Sequence, residues 1–154
     1  MSSFLSRILL RREPDLQFTP VALRQYSTAD ETLSRDLVVD GDAWLMQSDE
    51  PQVVRLFEAT GADLDQALLA YRASLKSEGL EGRAYLEMWV RLPGRGEFFS
   101  RGLHLPVSGT TAWSSYQVPF RLKKDQKPDL VKLNVVIEGR GKLWIRDVEL
   151  LKLR

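Results

Sequence analysis

The most constraining feature of this sequence is a set of runs in which apolar and polar side chains alternate. Apolar residues occupy every second position in Leu69–Leu75, Leu86–Leu92, Tyr116–Phe120 and Val131–Ile137. Successive side chains of a strand point to opposite faces, so each run predicts a strand with one buried and one largely polar face. The run Gln52–Glu58 is rich in strand formers and closes on a turn, which also favours a strand.

Turns rich in glycine and proline separate these strands. Pro93-Gly94-Arg95-Gly96 and Gly139-Arg140-Gly141 are two of them, and glycine supplies the positive φ of a tight hairpin turn without steric cost. Short strands joined by turns, with no helical pattern between them, are typical of an antiparallel sandwich or barrel. The 154 residues contain no linker or internal repeat. They predict one β-sandwich domain over residues 15–154, preceded by an extension over residues 1–14.

The predicted N-terminal extension carries a short apolar stripe. Phe4, Leu5, Ile8 and Leu9 fall on one side of a helix and are flanked by arginines. The favoured interpretation is an irregular terminus or a helix packed on its own domain. The alternative is a helix in residues 1–12 that makes weak contact with a membrane surface or docks on a partner protein.

Targeting signals are weak in this sequence. Residues 1–12 fit a signal peptide poorly, because arginine interrupts the apolar stretch and no small-residue cleavage site follows. We therefore expect a cytoplasmic protein. No apolar run approaches the ~20 residues of a membrane-spanning helix, so no transmembrane segment is expected.

Composition and single residues argue against several functions. A net charge of +1 does not favour nucleic acid as a partner. The chain has no cysteine, which removes thiol nucleophiles, thiolate metal sites and disulfides. His104 is the only histidine, and neither Ser100 nor Ser108 lies in a nucleophile-elbow pattern. Nothing in the sequence places a second carboxylate, such as Glu97 or Glu138, at the distance from Glu87 that glycoside hydrolysis requires. We therefore expect no enzyme.

The C-terminal part has a recognisable order of elements. A tryptophan-led strand, Trp113–Phe120, is followed by the alternating strand Val131–Ile137, by the Gly139-Arg140-Gly141 turn, and by a closing strand with Trp144 and Asp147. This order resembles the ending of jelly-roll carbohydrate-binding modules and other galactose-binding-like domains. The resemblance covers residues 36–152 in order.

Two upstream segments extend the same resemblance. Ala67–Ser77 and Arg83–Leu92 are similar to the central strands of the family. Gly41–Trp44, followed by Gln52–Leu56, looks like its early hairpin. The resemblance implies an all-β, antiparallel two-sheet jelly-roll sandwich of galactose-binding-like type, with a short helical or irregular N-terminal extension.

The family resemblance also implies a ligand and a metal. Such domains are usually non-catalytic and bind on a sheet face or at the loops of one end. Many hold a structural calcium with an acidic pair of the closing strand. Asp147 keeps the second acid of that pair, but Arg146 stands where the first would be, which is unfavourable for a hard dication. No other cofactor is expected.

The polar side of the predicted strands carries the candidate ligand site. An aromatic ring can stack on the apolar face of a pyranose while amide and charged side chains bind its hydroxyls. Whether the candidates share one sheet depends on the strand order. An alternative of about equal weight is a sheet face covered by a loop, with Trp89 packed beneath it. The candidate ligand-binding residues are Arg72, Tyr85, Glu87, Trp89, Arg91, Gln117 and Asn134.

Other aromatic residues leave further alternatives open. Phe98 and Phe99 are adjacent, so an exposed one near Arg101 and Trp113 could join a ligand or partner site at the loop end. The favoured alternative buries both under the loop that follows. Trp44 and Trp144 are expected in the sandwich core or at its edge.

The expected function is non-catalytic binding of a saccharide or glycoconjugate on a sheet face. The proposed mechanism is stacking on Trp89 with hydrogen bonds from the polar candidates. The rival is a protein-interaction or assembly module of the same fold without a sugar ligand, supported by long charged side chains and by the N-terminal stripe.

Overall fold

A computed structural model describes residues 20–60, 64 and 66–153. Within this part the protein is all-β, and no helix there is long and apolar enough to cross a membrane. The alternating runs fall in β5, β7 and β8, and the run Gln52–Glu58 falls in β4, which confirms the strands predicted from them. The stripe Phe4–Leu9 and the rest of residues 1–14 lie outside the described residues. The strands are β1 (Val21–Tyr26), β2 (Val38–Asp40), β3 (Ala43–Ser48), β4 (Gln52–Ala59), β5 (Leu68–Leu92), β6 (Gly96–Arg101), β7 (Val107–Arg121), β8 (Leu130–Ile137) and β9 (Gly141–Leu153).

The long strand β5 belongs to both layers of the sandwich. Its first half, residues 68–78, pairs with β9, and β7 follows it as far as Ala84. Its second half, residues 84–92, pairs with β8 and β6. All these pairings are antiparallel. Between the halves, Gly79 and Gly82 adopt φ values of +58° and +75°, which glycine tolerates and other residues rarely do.

Two sheets can therefore be named by their strands. The first sheet contains β1, β2, β3, β9, the first half of β5, and β7. The second sheet contains β4, β8, the second half of β5, and β6. The two form one continuous hydrogen-bonded sheet that folds over at the bend of β5, which is the two-layer arrangement of a jelly roll.

The inner faces of the two sheets pack into a single core. Tyr71 and Leu75 from the first half of β5 and Leu86 and Met88 from its second half are all buried in one cluster. These are the positions that the alternation predicts to be inside. Because both halves turn their apolar residues to this core, their polar residues point outward on opposite sides of the molecule.

The early hairpin expected from the resemblance is wrong in its pairing. Gly41 and Asp42 form the tight turn between β2 and β3, and β3 then pairs with β9 of the first sheet. The strand that contains Gln52–Leu56 pairs with β8 of the second sheet. The three residues between β3 and β4 thus cross from one sheet to the other instead of closing a hairpin.

The Gly139-Arg140-Gly141 turn packs directly against the bend of β5. A Cβ at Gly139 would collide with the carbonyl oxygen of Glu81, and one at Gly141 would lie 2.6 Å from Cα of Leu80. Real Cβ atoms do not approach other atoms so closely, so only glycine fits at both positions. The turn holds the bend that separates the two outer faces.

Candidate ligand-binding faces

The predicted site residues divide between the two outer faces of the sandwich. Arg72 lies opposite Gln117 of β7 on the first sheet. The other five lie together on the second sheet, because they belong to the second half of β5 and to β8 beside it. The bend of β5 thus separates residues that the alternation alone would group. The five are Tyr85, Glu87, Trp89, Arg91 and Asn134.

Glu87 is the centre of a buried polar cluster on the second sheet, the Glu87 cluster. Its side chain is only 5% exposed. Oε1 accepts hydrogen bonds from Trp89 Nε1 at 2.9 Å and from Asn134 Nδ2 at 3.1 Å. Oε2 accepts one from Arg101 Nε at 2.7 Å. Arg101 of β6 and Asn134 of β8 are the direct register neighbours of Glu87, so the sheet itself brings these groups together.

The electrostatics of the Glu87 cluster favour a charged carboxylate. Burial by itself raises the pKa of Glu87. The hydrogen bonds from Arg101, Asn134 and Trp89, together with the charge of Arg101, outweigh burial and leave the pKa below its ordinary value of 4.5. Glu87 is therefore ionised at neutral pH, and its lone pairs are engaged by groups of its own chain.

Trp89 and Phe99 form the aromatic part of the same face. Their ring centroids are 5.2 Å apart with an interplanar angle of 52°. The guanidinium carbon of Arg101 lies 4.0 Å from the centre of the Phe99 ring. Trp89 is half-buried, whereas Phe99 is 51% exposed.

The expectation that Phe98 and Phe99 are both buried is wrong. Phe98 is 42% exposed and Phe99 51% exposed, because β6 lies at the edge of the second sheet. Phe99 and Arg101 were not predicted to lie around Trp89. The signal was present, since Glu97, Phe99 and Arg101 alternate along β6 as Glu87, Trp89 and Arg91 do along β5.

Ion pairs flank the aromatic part of this face. Arg91 donates from Nε and Nη2 to Asp129 at 2.8 and 3.1 Å. Lys132 Nζ lies 2.9 Å from Glu97 Oε1. These exposed pairs contribute little to stability, but they present charged atoms to a ligand. Tyr85 is buried and exposes little of its ring.

The outer face of the first sheet has a different arrangement of the same residue types. Arg72 pairs with Glu149 at 2.9 Å. Farther along, Lys76 Nζ lies 4.5 Å from the ring centre of Trp144, and the guanidinium carbon of Arg146 lies 4.0 Å from that of Trp113. The chain's own cations therefore lie on these rings.

The two remaining tryptophans occupy different environments. Trp44 is buried in the core, as expected. Trp144 is half-buried on the outer face, because Leu143 and Ile145 take the inward positions of β9. Its Nε1 donates to Asp40 Oδ2 at 2.9 Å.

Asp147 lies at an irregularity of β9 and not in a carboxylate cluster. Its φ is +55°, and the register between β5 and β9 shifts beside it, between Arg72 and Ser74. Its exposed carboxylate lies 3.7 Å from Arg146 Nε. In the described ranges, no three His, Cys, Asp or Glu side chains lie close enough to hold a metal ion. A structural calcium at Asp147 stays a prediction from the resemblance.

Comparisons with known proteins define the fold class. No family model matches the chain, and no curated protein matches it. Among solved structures it is similar to a CBM4 module, with a TM-score of 0.54, 9% identity, and coverage of 84% of this chain and 78% of that chain. It is also similar to a family 16 carbohydrate-binding module, with a TM-score of 0.51, 10% identity, and coverage of 73% of this chain and 77% of that chain. A variant of a family 29 carbohydrate-binding module has a TM-score of 0.51 and 12% identity, with coverage of 85% of this chain and 90% of that chain.

These similarities confirm the resemblance to jelly-roll carbohydrate-binding modules that the order of elements in the sequence predicts. The chain has the jelly-roll β-sandwich fold of carbohydrate-binding modules. At 9–12% identity the similarity is one of fold.

Proposed function

We propose that this protein is a non-catalytic saccharide-binding module with its ligand on the outer face of the second sheet. The observation that carries the proposal is the exposed ring of Phe99 beside Trp89 and the Glu87 cluster. Sugar recognition needs an accessible aromatic surface next to fixed polar groups. Both occur here within three adjacent strands. The fold, shared with proteins named as carbohydrate-binding modules, agrees with this function.

The proposed mechanism gives each group a separate role. Phe99 and the exposed part of Trp89 stack on the apolar face of a pyranose. Arg101 binds hydroxyls through the N–H groups that Glu87 does not use, and the Lys132–Glu97 pair supplies a further donor and acceptor. Glu87 and Asn134 are too buried for direct contact and act as positioning residues. Preorganised polar groups lose little conformational entropy when a ligand binds.

The state of Glu87 argues against a role as the general acid of glycoside cleavage. A general acid for glycoside cleavage needs a raised pKa so that it carries a proton near neutral pH. The pKa of Glu87 is instead lowered, and its oxygens accept three hydrogen bonds from within the chain. The same carboxylate is well suited to fix Arg101.

A glycan array with the purified protein tests the proposal, followed by titration of any hit. We expect Phe99→Ala to weaken the affinity by about 10- to 30-fold, as loss of a central aromatic contact does. Trp113→Ala is the matched control, because it removes a ring from the other outer face, and it should leave the affinity unchanged. No binding to any saccharide, or equal effects of the two variants, would contradict the proposal.

A further inference from the structure

β6 is an edge strand whose free side can be assigned residue by residue. Within the described residues it pairs only with β5. The N–H of Gly102 donates to the carbonyl oxygen of Leu86 at 3.0 Å, so it points toward β5. Backbone groups alternate in direction along a strand. Phe98 and Ser100 therefore also turn their N–H and C=O groups to β5, whereas Glu97, Phe99 and Arg101 turn theirs to the free edge.

The free edge also carries exposed apolar side chains. Phe98 and Phe99 are both exposed on it, and Leu103 and Leu105, just beyond the strand, are exposed as well. Unpaired edges are usually protected by a bulge, a proline, charged side chains or a covering segment, and of these, in the part of the chain that the structure describes, β6 has only the charges of Glu97 and Arg101. The register of β6 with β5 is continuous from Gly96 to Arg101 and shows no bulge. A regular edge with exposed rings is a template for another strand.

The charges of β6 are complementary to those of a second β6 in one antiparallel register. If two copies pair about a two-fold axis at Phe99, Phe99 faces Phe99, and Glu97 of each copy faces Arg101 of the other. In this register the outward N–H and C=O groups of one copy also face those of the other copy, because Glu97, Phe99 and Arg101 all carry such groups. Both charges keep partners in their own chain, Lys132 and Glu87, so the pairing buries no unpaired charge.

We propose that two copies of this chain associate through antiparallel pairing of β6 with β6, centred on Phe99. The two second sheets then form one continuous sheet, and its outer face carries Trp89 and Phe99 of both copies in a row. If the proposed function holds, these four rings form one joint site for a longer saccharide chain than one copy can hold. The association itself does not depend on a sugar.

Cysteine cross-linking in the full chain tests the two-fold axis directly, because the natural sequence has no cysteine. In the proposed register the two Cα atoms of residue 99 lie about 5.5 Å apart, within disulfide range. Those of residue 98 are diagonal, about 7–8 Å apart, which a disulfide does not span. Under a mild oxidant and without sugar, Phe99→Cys should form covalent dimer on the order of tenfold faster than the matched control Phe98→Cys.

Sedimentation equilibrium provides an independent readout that introduces no cysteine. The wild-type chain should show a monomer–dimer equilibrium. Glu97→Pro removes one N–H group from the free edge but keeps the N–H groups of Phe98 and Ser100 that bond to β5. This variant should raise the dissociation constant of the dimer by roughly tenfold. Glu97→Gln, which keeps the N–H, should change the dissociation constant less. A monomeric wild-type chain, equal cross-linking at 98 and 99, or an unchanged dimer in Glu97→Pro would each overturn the proposal. Sugar binding by a monomeric chain would leave the proposed function intact.

Discussion

The two outer faces of the sandwich carry similar side chains but offer them to a ligand in different ways. On the second sheet, a buried carboxylate holds an arginine and an amide, and the neighbouring Phe99 ring is left exposed. On the first sheet, Lys76 and Arg146 lie on the rings of Trp144 and Trp113. Arg101 likewise lies 4.0 Å from the centre of the Phe99 ring, yet this ring stays 51% exposed, whereas Trp113 and Trp144 are half-buried. The faces therefore differ in how much ring surface they expose, and not in whether a cation lies on a ring.

The anions that hold the arginines also differ between the two faces. Glu87 lies between β6 and β8, so its register neighbours Arg101 and Asn134 reach it without leaving the sheet. The acids near Arg146 are Asp42 and Asp147, which are exposed and lie at 3.5 and 3.7 Å. Such exposed pairs are weak, and the guanidinium also packs on Trp113, which adds a cation–π contact.

The largest expected effect is on stability when Glu87 is removed. Glu87→Ala leaves Arg101, Asn134 and Trp89 without their acceptor in a buried site, and we expect a loss of about 2–4 kcal/mol in the free energy of unfolding. Glu149→Ala removes the more exposed partner of Arg72 on the first sheet and should cost less than about 1 kcal/mol. Urea denaturation of both variants measures the difference. Equal losses of unfolding free energy in the two variants would contradict the claim that the carboxylate of the second sheet is more tightly held than that of the first.

The pH dependence of stability provides a second contrast. Because the folded-state pKa of Glu87 lies below 4.5, its ionised form contributes stability above that value. The contribution is lost as the pH falls through the folded-state pKa. The stability difference between wild type and Glu87→Gln should therefore be constant near neutral pH and shrink below about pH 4.5.

The same two proteins control for other carboxylates. Asp129 and Glu138 also have lowered pKa values, through Arg91 and Arg83 respectively, but both groups are present in wild type and in the variant. Their titration cancels in the difference. A difference that stays constant from pH 7 to pH 3 would contradict the assignment of a charged Glu87.

The smallest expected effect concerns the cations of the first sheet. Lys76→Met keeps most of the aliphatic stem and removes the ammonium group above Trp144 and Trp113. We expect a loss of about 0.5–1 kcal/mol in unfolding free energy and no change in saccharide affinity. Stability that is unchanged or higher would show that the ammonium–ring contacts do not hold these rings.

The fold could be predicted from the sequence because its signal is local and repeated. The alternation in Leu69–Leu75, Leu86–Leu92 and Val131–Ile137 depends only on which face of each strand is buried, and those residues are in the core. The pairing of β3 could not be read in this way. A strand's own pattern does not say which neighbour it meets, and β3 joins β9, nearly a hundred residues later.

The candidate site was predictable in part for the same reason. Glu87, Trp89 and Asn134 could be placed on a polar face, but Arg72 and Gln117 have the same alternation and lie on the other side. The bend near Gly79 and Gly82 separates them, and it continues one strand without interrupting its pattern. The sequence offered Phe99 only for a separate site at the loop end and did not place it beside Trp89, because the neighbours of an edge strand depend on strand order.

The most direct test of the second-sheet site is an NMR titration of the four tryptophan indole N–H signals with a saccharide found on the array. Trp44 is in the core, Trp89 is on the second sheet, and Trp113 and Trp144 are on the first. We expect the Trp89 signal to shift with saturation while the other three stay in place. Shifts of Trp113 or Trp144 with an unmoved Trp89 would contradict binding on the second sheet and assign the ligand to the first.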